Sequence, residues 1–216
     1  HEIKNPLTPI QLSIDRIREK YSKKIDSGKK DFETYLKTIN NQIIVIEHLV
    51  NEFSDFARMP KPIFKKFDLV EIIHSNINLI KLSNQEIDFH FNSKTNKILF
   101  NGDKDQLNRV FNNLIKNSIE SLEEKANEDA NFVKKIRLEI SIKNNYIYLV
   151  FIDNGIGFSK QSIKDIVKPY FTTKTQGTGL GLAIVNKIIN DHEGKIIFLP
   201  QKDGAKIEIT LPKNVN

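Results

Sequence analysis

The sequence predicts an α+β protein in which an N-terminal helical hairpin precedes a mixed β-sheet covered on one face by helices. Three observations predict it. Residues 3–53 carry apolar side chains at alternating steps of four and three, a heptad seam broken once. Residues 57–66, ARMPKPIFKK, hold two prolines and several charges, a composition that breaks a helix and reads as a linker. Beyond them, helical periods alternate with short strands joined by turns.

In the first helix the seam is Ile3, Leu7, Ile10, Ile14, Ile17 and Tyr21. A polar stretch, SKKIDSGKK, interrupts it at 22–30, and Phe32, Leu36, Ile39, Ile43, Ile46, Val50 and Phe53 resume it. Two amphipathic helices joined by a short polar loop make an antiparallel hairpin. So small a unit buries little surface alone. Pairing of two hairpins as a four-helix bundle, and so a homodimer, is therefore expected; packing of the seam against the rest of the same chain is the alternative.

After the linker, Leu69 to Leu82 is helix-like, with Leu69, Ile72, Ile73, Ile77 and Ile80 on one face. Ile87–Phe91 and Lys97–Phe100 alternate like strands, and Asp103 is placed to cap a long helix through Glu124. Lys135–Ile142 and Tyr146–Ile152 read as strands paired around an Asn144–Asn145 turn. A short helix near Ser159–Val167 and a longer one from Thr178 to His192 follow. Two last strands, Lys195–Leu199 and Lys206–Leu211, meet at a Lys202–Gly204 turn. This divides the chain into a helical domain at 1–58, a linker at 59–66 and a sheet domain at 67–216.

Composition narrows the function. The net charge is +6, but the lysines are spread along the chain and no basic run is interleaved with aromatics, so a nucleic-acid partner is not expected. With no cysteine there are no disulfides and no thiolate metal sites. No apolar run reaches the ~18 residues of a membrane span. The chain opens on His1, without Met, inside a helical pattern, and is expected to be part of a longer protein.

The chemistry concentrates between Asp153 and Leu182, where the clusters DNGIG and GTGLGL flank PYFTTK. Glycines so spaced let backbone N–H groups turn toward a bound anion. GTGLGL precedes the apolar helical run LAIVNKIIN, so a helix N-terminus there would offer N–H groups and its positive dipole end to phosphates. It is neither a dinucleotide fingerprint nor a Walker loop, for no parallel βαβ unit or Gly-Lys-Ser/Thr accompanies it. Asp153 ends the apolar strand LVFID, where its carboxylate either accepts from an exocyclic amine such as adenine's or caps the turn. On the long helix Asn113 and Asn117 stand one turn apart, so both carboxamides, with Lys116 or Glu120, are placed to line one cleft. Carboxamide oxygens suit Mg²⁺; two solvated Asn residues on a polar face are the alternative. Thr172 to Gln176 would form a lid, with Phe171 as apolar anchor and Lys174 reaching phosphate.

NNLIKN, DNGIGF, PYFTTK and GTGLGLAIV occur in this order and resemble the N, G1, F and G2 boxes of the sensor histidine kinases, within the GHKL ATPase superfamily. The opening HEIKNPLTPIQL resembles that family's H-box, and EFSDFARMPKP resembles the nitrogen-regulation sensors of the NtrY and NtrB type. The resemblance covers essentially the whole chain. It implies a Bergerat-type ATP-binding sandwich after the hairpin, ATP and Mg²⁺ as ligands, a response-regulator receiver domain as partner, and a cytoplasmic location beside a membrane anchor elsewhere in the protein.

The resemblance also implies residue roles. His1 would accept the γ-phosphoryl group, Glu2 would act as general base, and Asn5 would position water for phosphatase action. Asn117 would be the main Mg²⁺ ligand, with Asn113 near it, and Asp153 would recognise adenine, with Gly155 and Gly157 allowing close approach. Phe171, Thr172, Thr173 and Lys174 would form the lid, Gly177, Thr178, Gly179, Leu180 and Gly181 the phosphate turn, and Thr210 would support the adenine pocket through water. The competing readings are a GHKL ATPase of the chaperone, topoisomerase or repair type, and a dimerisation module that binds nucleotide without transferring phosphate.

Overall fold

A computed structural model describes residues 7–25, 27–129, 131–158, 163–172, 174 and 177–213. They fall into two compact units. The helical unit holds residues 7–59 with Lys174, Gly177 and Thr178; the sheet unit holds the described residues of 60–172 and 179–213.

In the helical unit α1 (Leu7–Tyr21) and α2 (Lys29–Ala57) form the expected hairpin. The seam divides into two sets. Ile14, Leu36 and Ile43 are buried between the helices, with Leu7 and Phe32 packed against them. Ile10 and Ile17 on α1, and Ile39, Ile46 and Phe53 on α2, remain exposed at seven-residue spacing. One hairpin therefore satisfies only half of its heptad positions. At the loop, Glu33 accepts from Ser22 Oγ at 2.6 Å and pairs with Arg18 at 3.3 Å, tying the end of α1 to the start of α2.

The sheet unit opens with β1 (Lys65–Asp68) and α3 (Leu69–Ser83), where Asp68 caps α3 by accepting from Val70 N–H. After β2 (Asp88–Ser93) and β3 (Leu99–Gly102) comes α4 (Lys104–Glu128). The Asp103 carboxylate caps α4, accepting from Asp105 and Gln106 N–H at 3.0 Å each. The hairpin β4 (Lys135–Lys143) and β5 (Tyr146–Asp153) turns at Asn144 and Asn145. Both take positive φ (49° and 63°), the left-handed pair a tight hairpin turn demands and Asn tolerates. The unit closes with α5 (Gly181–Asp191), β6 (Lys195–Pro200) and β7 (Ala205–Pro212).

The main sheet has the order β2-β4-β5-β7-β6, with β2 and β4 parallel and the other pairs antiparallel; β1 and β3 form a separate two-stranded ribbon. Strand alternation puts Ile136, Leu138, Ile140, Ile147, Leu149, Phe151, Ile207, Ile209 and Leu211 on one buried face. The apolar stripes of α3, α4 and α5 are buried too, and Phe111 of α4 stacks on Phe151 of β5 at 5.9 Å. Tyr146, Tyr148 and Ile197 stay exposed on the opposite side.

Three readings are corrected. Lys65 and Lys66, read as linker, pair in β1 with Gly102 and Asn101, because a four-residue strand acquires its identity from its partner. Of the short helix expected at Ser159–Val167, residues 163–167 form turns and the rest lie outside the described residues. The helix after GTGLGL starts at Gly181 rather than Thr178.

Candidate nucleotide-binding site

β5 delivers Asp153 to the end of the buried sheet face, where it is only 5% exposed. Its Oδ2 accepts from Ser118 Oγ at 3.0 Å and its Oδ1 from Gly155 N–H at 3.0 Å. Burial pushes the carboxyl above the ordinary carboxylate range. The bonds from Gly155, Ser118 and the Ala205 backbone, and the Lys125 charge, oppose that rise. The result is a buried carboxylate held in a fixed orientation, a group suited to accept from an N–H donor on a ligand.

The turn after Asp153 is clamped by α4. Ile156 N–H donates to Ser121 Oγ at 3.0 Å, and Lys125 Nζ donates to Asn154 O at 2.8 Å and Gly155 O at 3.3 Å. The Asn154 side chain bridges the start of β4, accepting from Lys135 N–H and donating to Val133 O, both at 2.8 Å. A Cβ on Gly155 would run into Ser121, and Gly157 has φ 75° with its Cβ direction filled by the Gly204 carbonyl. Packing against α4 and the β6–β7 turn therefore accounts for both glycines.

Asn113 donates from Nδ2 to Arg109 O at 2.9 Å, which assigns Oδ1 as the acceptor. That oxygen lies 3.2 Å from where a Cβ on Gly181 would stand, so it faces the first residue of α5. Leu180, the N-cap of α5, has no side chain that can cap it. Asn117 follows one turn along α4, half-buried, while Lys116 turns out to solvent, 4.0 Å from Glu120. Two carboxamide oxygens, a buried carboxylate and a helix N-terminus are a donor set that fits a magnesium nucleotide. Among the described residues there is no cluster of three or more His, Asp or Glu to hold a bare metal ion.

Tyr170 and Phe171 back directly onto Gly179. Tyr170 N–H donates to Gly179 O at 3.1 Å, and Gly179, at φ 69°, has the Tyr170 and Phe171 backbone where its Cβ would be. Phe171 is half-buried and Thr172 exposed, and the Leu180 side chain is wholly buried in the core. Lys174, Gly177 and Thr178 belong to the helical unit, where Thr178 Oγ1 donates to the Glu52 carboxylate. His1, Glu2, Asn5 and Thr173 lie outside the described residues.

Thr210 is not at the site. Register pairs Asp153 with Ala205, whereas Thr210 pairs with Tyr148. Five residues along β7 is about 16 Å, and the odd offset turns Thr210 to the face away from Ala205, Ile207 and Ile209. The hydroxyl beside Asp153 comes from Ser118 instead. Ser118, Ser121 and Lys125 were missed from sequence. Their signal was the spacing i, i+3, i+7 within the stripe that otherwise carries Leu114, Ile115 and Leu122.

Residues 102–215 match the family described as histidine kinase-, DNA gyrase B-, and HSP90-like ATPase, and residues 1–62 match the His Kinase A (phospho-acceptor) domain. The NtrY-like sensor histidine kinase of Rickettsia felis is 39% identical over 210 residues, 97% of this chain and 34% of that protein. Nitrogen regulation protein NtrY of Azorhizobium caulinodans is 36% identical over 214 residues, 98% of this chain and 27% of that protein. The chain thus spans about a third of the length of these curated relatives. Among solved structures, the catalytic domain of histidine kinase ThkA is similar with a TM-score of 0.62 and 29% identity, covering 70% of this chain and 96% of that one. ThkA in complex with response regulator protein TrrA gives 0.71 at 25% identity, covering 99% of this chain and 59% of that one. With a phospho-acceptor domain followed by this ATPase domain, the chain belongs to the sensor histidine kinases.

Proposed function

We propose that the chain is the catalytic core of an ATP-dependent protein-histidine autokinase that phosphorylates His1 and passes the phosphoryl group to an aspartate on a response-regulator receiver domain. The observation that carries the reading is the buried Asp153 carboxylate, held by Ser118 Oγ and Gly155 N–H in a domain of the ATPase family. Asp153 accepts from the adenine amine, Asn117 holds Mg²⁺ with Asn113 beside it, and the α5 N-terminus meets the phosphates. When bound, Mg²⁺–ATP supplies the transferable phosphoryl group and neutralises charge during its transfer.

The residues of this chain position that group and accept it. The His1 imidazole must be neutral to attack. The Glu2 carboxylate takes its proton, and Asn5 orients water when the partner regulator is dephosphorylated. Residues 1–58 dimerise through the exposed half of the seam, and residues 67–216 bind nucleotide. A cytoplasmic location, beside a membrane anchor elsewhere in the protein, is part of this proposal and rests on the likeness to the NtrY-like kinases. Separately, no described helix is long and apolar enough to cross a membrane. Asp153→Asn is expected to weaken ADP binding at least ~10-fold, about 1.4 kcal/mol, by calorimetry. Unchanged affinity would remove Asp153 from base recognition.

A further inference from the structure

We propose that Ser118 is a positioning residue of the nucleotide site, whose hydroxyl holds the Asp153 carboxylate in the orientation that reads the 6-amino group of adenine. The inference rests on the assignment of Asp153 to base recognition. Ser118 and Asp153 are each 5% exposed, so the bond between them has no water competing for it. Ser118 Oγ donates to Oδ2 and Gly155 N–H to Oδ1, both at 3.0 Å. Each oxygen has its own donor, so rotation of the carboxylate breaks both bonds, and with the Ala205 backbone bond beside them the carboxylate keeps lone-pair capacity for a ligand N–H.

The same helix face fixes the backbone that supplies the second donor. Ser121 Oγ accepts from Ile156 N–H, and Lys125 Nζ donates to the Asn154 and Gly155 carbonyls. Ser118, Ser121 and Lys125 thus set the side chain and the turn from one rigid element. The charged groups near Asp153 are Lys125 of α4 and, 4.0 Å from Lys125, Asp203 in the β6–β7 turn. Neither replaces an oriented hydroxyl. The bond also opposes the effect of burial on the carboxyl.

The test measures binding of ADP and of purine riboside diphosphate, which lacks the 6-amino group, to the whole chain by calorimetry. The wild type is expected to prefer ADP by about tenfold or more, the range of one hydrogen bond to a charged group. Ser118→Ala should lower ADP affinity by roughly five- to tenfold and leave the analogue's affinity as it was, so the preference collapses. Ser118→Thr, which keeps the hydroxyl, should restore it. Ser118→Cys, which keeps the volume with a weak donor, should behave as Ala does, and serves if the Ala variant does not fold. A wild-type preference in Ser118→Ala, or equal weakening of both nucleotides, overturns the role. If Asp153→Asn abolishes the preference while Ser118→Ala retains it, only Ser118 is wrongly assigned; if Asp153→Asn keeps the preference, the reading of Asp153 fails as well.

Discussion

Replacing His192 by Phe is expected to destabilise the sheet unit by about 1–2 kcal/mol at pH 7.5, and by less at pH 5.5. His192 is wholly buried. Its Nε2 accepts from Asp103 N–H at 2.9 Å, which places the proton on Nδ1, and Nδ1 donates to Ile188 O at 2.8 Å. The ring packs against Phe64 at 5.1 Å and Phe100 at 6.2 Å, contacts that a phenyl ring keeps. Ile188 O also keeps the backbone N–H of residue 192 at 3.1 Å. The loss is then one orphaned N–H at the α4 cap, about 1–3 kcal/mol, offset in part by burying a less polar ring.

The pH dependence follows from the imidazole. Burial pushes the His192 pKa down, against the bond to Ile188 and the charges of Asp103 and Asp191. Its folded value therefore lies below the unfolded value of about 6.5. The contribution is present above pH 6.5 and lost as pH falls toward the folded value, because the unfolded chain takes up a proton the folded one refuses. That loss grows as acid protonates the unfolded imidazole while the buried one resists protonation. The Phe variant has no such loss, so the gap between the two proteins narrows in acid. Urea unfolding followed by circular dichroism at the two pH values measures it. A gap that is constant, or that widens in acid, would refute a buried neutral His192.

Gly157→Ala forces a side chain onto φ 75° and into the Gly204 carbonyl, so a stability loss of about 2 kcal/mol or more is expected. Weaker ADP binding should accompany it, and wild-type values in urea and calorimetry would contradict the packing described for the turn. In the helical unit, Ile39→Asp with Ile46→Asp places charge on the exposed half of the seam. Sedimentation should shift from dimer to monomer while helical circular dichroism persists, and a persisting dimer would count against the four-helix bundle. Ile43→Ala, by contrast, empties the hairpin's own core and should cost about 2–4 kcal/mol.

The elements whose physics is local could be read from sequence. The heptad steps, the Asp103 cap and the Asn144–Asn145 turn each specify their own geometry within a few residues. What depended on partners could not. β1 has four residues, and only pairing with β3 makes it a strand. Thr210 and Ala205 are both near the end of the chain, but register alone decides which one meets Asp153. Ser118 reads as one more polar residue of α4 until that helix is set against β5. Gly155 and Gly157 read as room for a ligand, while the space they leave is occupied by Ser121 and Gly204.

The central claim, that phosphate from ATP reaches His1, has one direct measurement. The chain, extended N-terminally beyond His1, is incubated with γ-labelled ATP and Mg²⁺. The account predicts an acid-labile, alkali-stable phosphoprotein whose label disappears with His1→Gln. Label that survives His1→Gln, or that resists acid as phosphoserine does, would contradict it.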